Sequence, residues 1–599
     1  MNVLKGTKCN NIFILEDRNW WEDNKNTFNK ASDIILTYDF GLFLELKKIK
    51  GRVFYIDSLV KKSEMQKNNF LFYDFFKRWH YDSEQKDIFS FKGIQFGLAL
   101  RLEIWNDLTF YVRNRTCLEE IRNVDYRNIY LGSEIIILSE ILDELNIKYQ
   151  KLKKSSSKMP SYFFPIHKWI DEKVRYKGFA GLKYIIRDWL SFFQSLVITL
   201  YDKTFTNYTK RPLIFIQEYH PTQTIIKALS KNSNFRVLLA NFSRIIGYFR
   251  YVPIYGKEIN YKSESLKLLK NFDDRKFNKL ILSTNADVTE RVNAIIVKRI
   301  ADRLPDYLLN LNCIVNYVKL ENLKLIVLIA NMGKVATLID CVGRVMNIPT
   351  YLIINGFMSG DFLDEAKHAD YINAYSSSIK NCYFKNADNV FALGDPRMDA
   401  YSRRDCKNIN RSNSTITIGA SAHSIVDLNS FVAVEFEFLY DTLQSIRKSI
   451  NNGLDIKKII IKTRANGYLS QYVDFIKEYF SDLPIEIKSD ITMTEVFINT
   501  DLYISLYSQT HFEAACLGIP CIYYKNDNQI FDPPFDFDSE LVTVDNTIDL
   551  QKAIFDFFSG STIFEEFSER HVLEKYIGPL DGNNLQRNLD FIYKLIKEK

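Results

Sequence analysis

The sequence predicts an α/β protein with two Rossmann-like domains in tandem. Three observations support this. Short, β-branched apolar runs alternate with longer helical patterns, the mark of βαβ units and parallel sheets. The chain has 599 residues, well beyond the roughly 100–200 of one usual domain. Hydrophobic residues make up 46% and charged residues 25%, ordinary globular usage that excludes a disordered, collagen-like or low-complexity chain.

In chain order, Ile34–Tyr38 reads as a strand, Gly41–Ile49 as a helix and Arg52–Asp57 as the next strand. Further strands are expected at Asn128–Leu131, Leu213–Gln217, Lys279–Ser283, Leu323–Ala330 and Thr350–Ile354. Residues 1–399 are taken as one N-terminal domain, with a basic, aromatic helical insertion over 148–210. Residues 400–414 (AYSRRDCKNINRSNS) are polar, lack apolar periodicity and read as a linker.

The pattern is then cleaner, and 415–582 reads as the second Rossmann-like domain. Strands are expected at Thr415–Gly419, Lys458–Lys462, Ile485–Lys488, Leu502–Tyr507, Cys521–Tyr524 and Leu541–Val544. Helices are expected over Leu428–Ile450, Tyr468–Phe480, Thr494–Asn499, His511–Leu517 and Ile548–Phe558. A terminal helix in 583–599 is placed to cross back to the N-terminal domain. Two doubly wound domains bind ligand in the cleft at the carboxyl ends of their strands.

Eight cysteines without a CxxC pair are too few for a disulfide scaffold and do not suggest zinc. Met1–Arg18 lacks a signal-peptide pattern, and no uncharged apolar stretch reaches the roughly 18–20 residues of a membrane helix. A soluble, cytoplasmic protein is expected, with no metal, no cofactor and no nucleic-acid partner.

Tyr503–Tyr524 (YISLYSQTHFEAACLGIPCIYY) is the most informative stretch. A strand runs into Ser508-Gln509-Thr510, which opens a short helix ended by Gly518 and Pro520. Free N–H groups and hydroxyls at such a start can hold a phosphate, with Glu513 facing ribose hydroxyls. Thr510-x-x-Glu513 is equally a capping box, which needs no ligand. In Leu393–Tyr401 (LGDPRMDAY), Arg397 and Asp399 either line the cleft or pair at the hinge. Asn355-Gly356, after a strand, faces the cleft or makes a simple turn. In Thr417–His423 (TIGASAH), Ser421 and His423 can approach a phosphate, though no Walker A Lys-[Ser/Thr] follows. Lys462 and Arg464, at a strand's end, suit phosphates or merely solvate that end. Glu218 and His220, after the strand Leu213–Gln217, are candidate general bases, as is Asp17.

Together these segments resemble the GT-B glycosyltransferases of bacterial surface-carbohydrate synthesis, such as CDP-glycerol glycerophosphotransferases, polysialyltransferases and Kdo transferases. Asn355-Gly356 resembles the family's His-Gly step, and LGDPRMDAY its Gly-x-Pro-x-x-Asp exit from the N-terminal domain. KTRANG (Lys462–Gly467) stands where relatives have Lys-x-His-Pro. YSQTHFEAACLGIP looks like their Ser-rich loop and Glu-Ala-x-x-x-Gly-x-Pro element, and YIGPLDGNNLQR like a terminal Asp-Gly segment. The match covers roughly 310–599. Two family histidines are replaced, by Asn355 and by Arg464-Ala465. Asn355 cannot act as a base.

The resemblance implies a GT-B fold whose N-terminal domain meets the acceptor. It implies metal-independent transfer of a sugar from a CMP-, CDP- or UDP-linked donor to a glycan or lipid-linked acceptor of capsule, lipopolysaccharide or O-antigen. Donor contacts would come from Ser508, Gln509, Thr510, Glu513, Lys462, Arg464, Ser421, His423, Asn355, Gly356 and Arg397. Alternatives are a polyol-phosphate transferase, a nucleotide-sugar epimerase or a non-catalytic subunit on the same fold.

The net charge of +6 is uneven. Between Lys148 and Arg187 lie eleven Lys/Arg and two Asp/Glu, interleaved with aromatic residues and leading into the apolar Trp189–Tyr201. Such a segment suits an anionic membrane surface, here 148–201 on the inner face of the cytoplasmic membrane, or a solvated basic helix over the core.

Overall fold

Three parallel sheets follow one another along the chain, each with the strand order of a doubly wound fold. The computed structural model describes residues 4, 6–156, 158–163, 178–205, 211–274, 278–329, 333–356, 369–385, 387–402, 406–420, 433–464, 469–525 and 533–598. The first sheet holds β1 (Asn11–Leu15), β2 (Ile34–Thr37), β3 (Arg52–Tyr55), β4 (Asn128–Gly132) and β5 (Gln150–Lys151), in the order β3-β2-β1-β4-β5. The second holds β6 (Leu213–Ile216), β7 (Arg236–Leu239), β8 (Phe249–Tyr251), β9 (Leu323–Leu328), β10 (Thr350–Ile353), β11 (Tyr371–Asn373) and β12 (Val390–Phe391), in the order β8-β7-β6-β9-β10-β11-β12. The third holds β13 (Ser414–Gly419), β14 (Ile456–Lys462), β15 (Ile485–Lys488), β16 (Leu502–Ser505), β17 (Cys521–Tyr524) and β18 (Thr543–Val544), in the order β15-β14-β13-β16-β17-β18.

The α/β class with parallel sheets is therefore as the sequence predicts. Residues 1–399, expected as one domain, instead contain two sheets. The central strands β1, β2, β6, β7, β10, β13 and β16 are buried at every position or all but one. Helices on both faces of a parallel sheet require such runs. The expected strand Lys279–Ser283 is a tight turn, with one bridge between Ile281 and Asp287 and Asn285 at φ +64°.

The helices that matter below are α1 (Phe40–Lys48), α2 (Lys62–Arg78), α3 (Gly97–Glu119), α4 (Gly178–Phe205), α5 (Lys334–Val345), α6 (Val434–Asn451), α7 (Leu469–Tyr479), α8 (Thr510–Ala515) and α9 (Asn584–Lys597). One continuous apolar core joins the first and second sheets and reaches Phe512 and Phe535 of the third unit. A separate core fills the third sheet and α6. The first unit also meets the third. Arg18 clamps Glu478 of α7 with two bonds, of 2.7 and 3.0 Å, and the Tyr162 hydroxyl donates to the same carboxylate at 2.5 Å.

α9 starts where Asp399 accepts the N–H groups of Asn584 and Leu585, at 2.9 and 2.8 Å. It then lies over the second sheet, with Asn588 bonded to Tyr351 and Asn373 and Tyr593 stacked on Phe235. The segment 406–413 is stapled to the third unit, Lys407 and the Asn410 N–H both bonding Asp501.

Candidate functional site

The second and third sheets each have a switch point between their first and fourth strands, where the chain leaves in opposite directions and a crevice opens. In the second sheet Gln217 spans that point, its Oε1 accepting the Ile329 N–H at 3.0 Å. The chain then turns through Glu218 and His220. Ser243 Oγ donates to Glu218 at 2.8 Å, and burial raises the pKa of this carboxyl. His220 opens a short 3-10 turn and is exposed. Partial burial lowers its pKa, and Arg397 and Arg464 lower it further. The imidazole is therefore neutral near pH 7. Its electrostatic neighbours come from the hinge and from the third sheet, so the switch-point loop of the second sheet faces both.

The hinge supplies the centre of the cluster. Arg397 forks onto Asp395, with Nε at 3.0 Å and Nη2 at 2.6 Å, and reaches the Tyr375 hydroxyl at 3.4 Å. Burial pulls the Arg397 pKa down, but Asp395, Tyr375 and Glu513 outweigh this and hold it charged. Gln509 crosses from the third unit to donate to Asp395 at 3.0 Å. Gly356 lies against the same glutamine: at φ +88°, a Cβ there would sit 3.1 Å from Gln509 Oε1. Glu513 accepts from Tyr401 at 2.9 Å, and burial raises its pKa while Arg397 opposes the rise. The sequence segments holding Gly356, Arg397, Gln509 and Glu513 are thus brought together. Asn355, next to them, is exposed.

In the third sheet, Ser505 Oγ bonds the Gly419 carbonyl at 2.8 Å across the switch point. Gly419 is required there, since a Cβ would lie 2.0 Å from the Tyr503 hydroxyl. Thr510 does not cap α8. Its hydroxyl pairs with Ser508 Oγ at 2.7 Å and with Tyr503, and Gln509 occupies the cap position without a side-chain bond to the helix N–H groups. With Glu513 bonded to Tyr401, the Thr510–Glu513 capping box does not form. The chain does build one at Thr492–Glu495.

Lys462 is buried, and its ammonium bonds the carbonyls of Thr463 and Ser489. Burial lowers its pKa. It closes the end of β14 instead of presenting a charge to the cleft. Arg464, two residues on, is exposed and makes no ion pair among the described residues. Ser421 and His423 lie outside the described residues.

Asp17 is not in this cluster. It caps the short helix Arg18–Trp21, accepting the Asn19 N–H at 2.9 Å, at the end of the first sheet. At the switch point of that sheet Gly132 is closely packed: a Cβ there would lie 2.9 Å from both Leu15 and Trp20. Among the described residues, no group of three or more His, Cys, Asp or Glu could hold a metal ion.

Asp395, Gln217, Tyr375 and Tyr401 are site residues that sequence reading missed. Asp395 and Tyr401 lie inside LGDPRMDAY, and the Gly-Asp-Pro exit was their signal. Tyr375, at φ +67°, has no local signal: its hydroxyl reaches the Ile354 carbonyl through the fold.

No family model and no curated protein matches the chain. Solved structures do. UDP-GlcNAc 2-epimerase from Neisseria meningitidis, bound to UDP-GlcNAc, is 11% identical with a TM-score of 0.41, over 64% of this chain and 100% of that one. MurG from Acinetobacter baumannii is 14% identical with a TM-score of 0.29, over 64% and 99%. The wall teichoic acid polymerase TagF, in a structure with CDPG, is 15% identical with a TM-score of 0.37, over 73% and 99%.

Proposed function

We propose that the chain is a GT-B glycosyltransferase that moves a sugar from a nucleotide-activated donor to a glycan or lipid-linked acceptor of a bacterial surface polysaccharide. The observation that supports this best is the hinge cluster, in which Gln509 of the third unit bonds Asp395 beside Arg397, with Arg397 and Arg464 near enough to act electrostatically on His220, between two sheets with Rossmann strand order. Arg464 is the cation open to a donor phosphate. Arg397 is committed to Asp395 and acts by positioning Gln509 and Glu513. Neutral His220 takes the proton from the acceptor hydroxyl as that oxygen attacks the anomeric carbon. The bond from that carbon to the phosphate oxygen breaks, and Arg464 meets the charge left on the nucleotide. Glu218 is the alternative base.

The test is a panel of CMP, CDP and UDP in thermal melting and calorimetry, followed by turnover of the matching sugar donors. One nucleotide should raise the melting temperature in wild type and fail to do so with Arg464→Gln. No binding of any of the three by folded protein rejects the reading. Binding without turnover favours a non-catalytic subunit.

The acceptor side suggests a membrane surface. α4 carries Trp189, Phe193, Val197 and Leu200, each about half or more exposed, along one stripe. No helix among the described residues is long and apolar enough to cross a membrane. Part of the basic segment, 164–177, lies outside the described residues.

A further inference from the structure

Away from the cleft, a cavity of about 250 Å³ opens where the first unit meets the second. Its walls come from α2, the Trp79–Gln95 loop and α3 on one side and from α5 on the other. Lys77, Arg101 and Arg344 line it against a single carboxylate, Asp87. That carboxylate is already committed, accepting the Phe89 N–H at 2.9 Å and the Gly97 N–H at 2.8 Å. Arg344 is braced by Asp340 at 2.9 Å yet leaves 46% of its side chain exposed. Asp340 and Asp370 both act on Arg344, but neither lines the cavity.

Burial lowers the pKa of Arg101 and Arg344 lowers it further, while Tyr73 and Asp340 oppose the fall. Two guanidiniums thus face one cavity, and an anion between them would relieve their repulsion. His80 is part of the wall. It is 4% exposed, and its Nδ1 lies 3.3 Å from Asp87 but has no hydrogen-bond partner. Gly97 makes room for it, since a Cβ there would lie 2.6 Å from that nitrogen. The remaining wall is aromatic, with Tyr73, Phe76 and Tyr81, the last packed on His80 at 4.2 Å between ring centroids.

We propose that this junction binds a small organic oxyanion, its phosphate or carboxylate between Arg101 and Arg344 and its apolar or planar body against the aromatic wall. The volume lies below the roughly 300–1,000 Å³ of drug-sized ligand sites. It therefore suits a fragment-sized molecule and not a whole nucleotide-sugar. Because the walls belong to two units, the bound molecule ties the first unit to the second. This site is independent of the transferase reading.

The test uses the full chain with phenyl phosphate, benzoate and inorganic phosphate as probes, in calorimetry and thermal melting. An organic probe should saturate at one site per chain and raise the melting temperature. Arg344→Gln should weaken it about tenfold or more, the scale of one lost charge-assisted contact. Leu98→Trp, which fills the cavity and keeps the charges, should do the same. Arg464→Gln should leave the affinity unchanged. Tighter phenyl phosphate assigns a phosphate ligand, and tighter benzoate a carboxylate. The proposal is overturned if neither organic probe saturates or if both cavity variants bind like wild type. Loss of binding with Arg464→Gln would also overturn it, by placing the probe in the cleft.

Discussion

His220 and Arg464 divide the proposed chemistry between a base and a cation, and their substitutions should separate in kinetics. His220→Ala should lower kcat by about 10²–10⁴-fold with little change in nucleotide affinity. In wild type, kcat/KM should rise with pH on a limb whose pKa lies below the ordinary 6.5 of histidine. Partial burial, Arg397 and Arg464 all favour the neutral ring. Loss of Arg464 removes two things, the phosphate contact and one of the charges lowering that pKa. Arg464→Gln should therefore weaken nucleotide binding and move the acidic limb to higher pH. Lys462→Gln tests the other side of the division. Its ammonium serves the carbonyls of Thr463 and Ser489, so the change should cost stability rather than donor affinity. A Lys462→Gln protein that keeps wild-type melting and loses nucleotide would reverse that assignment. The spacing in KTRANG placed both cations at a strand's end, but side-chain direction came only from the fold. A buried lysine and an exposed arginine two residues apart look alike in sequence.

At the scale of elements, the Arg18–Glu478–Tyr162 contact holds the short helix after β1 to α7. Arg18 is 3% exposed and Glu478 33%. Glu478→Ala leaves the buried arginine with the Pro160 carbonyl and the longer contact to Asp39, at 4.0 Å. The cost should be about 2 kcal/mol, below the 3–5 kcal/mol of a fully buried pair because Glu478 is part-exposed. Burial alone would raise the Glu478 pKa, but the bonds from Arg18 and Tyr162 reverse this and hold it below 4.5. Its contribution to stability is therefore present above about pH 4.5 and lost as pH falls through the lowered value. Asp39 behaves oppositely. Burial raises its pKa to about 6 from 3.8, against the pull of Arg18 and of the Leu42 and Tyr162 N–H groups. Its protonated form favours the folded state, and that contribution fades as pH rises through about 6. Denaturation of Glu478→Ala at pH 7 and pH 4 checks the first sign, with the wild-type gap expected to shrink at pH 4. Asp39→Asn checks the second: the decline of stability between pH 4 and 6 should flatten. A second element, α4, is tested by vesicles. Trp189→Glu with Phe193→Glu should abolish flotation with anionic liposomes and leave the melting temperature within a few degrees, since both side chains are more than half exposed.

Across the whole molecule, the third sheet was largely legible in the sequence, and the first was legible in β2, β3, β4 and α1 but not in β1 and β5. β13 to β18 sit in regular alternation with helices, and the predicted strands and helices there fall close to the observed ones. In the first half, the run Ile12–Leu15 is a central strand, but in isolation four apolar residues do not distinguish strand from buried helix. β7, β8, β11 and β12, two to four residues each, carried too little periodicity to register. With β1 and β7 unseen, two sheets merged into one expected domain. The structure gives that merger a physical basis. α3 of the first unit packs on the second through Asp107–Arg299 and through Glu103, which takes both Arg303 and the Tyr307 hydroxyl. One apolar core runs through both. These two units should therefore unfold together. Calorimetry of the full chain should show no separate transition for residues 1–156, and a fragment beginning at 211 should melt well below the intact protein because it exposes half of a shared core. The third unit has a second core, which takes in Phe40, Tyr55 and Tyr162 of the first, and it meets the others through the Arg18–Glu478 clamp, the hinge cluster around Asp395 and the apolar contacts of Phe512 and Phe535. If one transition splits, it should be this one, and a nucleotide bound between the second and third sheets should close the gap. An early, ligand-insensitive transition from residues 1–156 would show instead that the first unit is an independent domain.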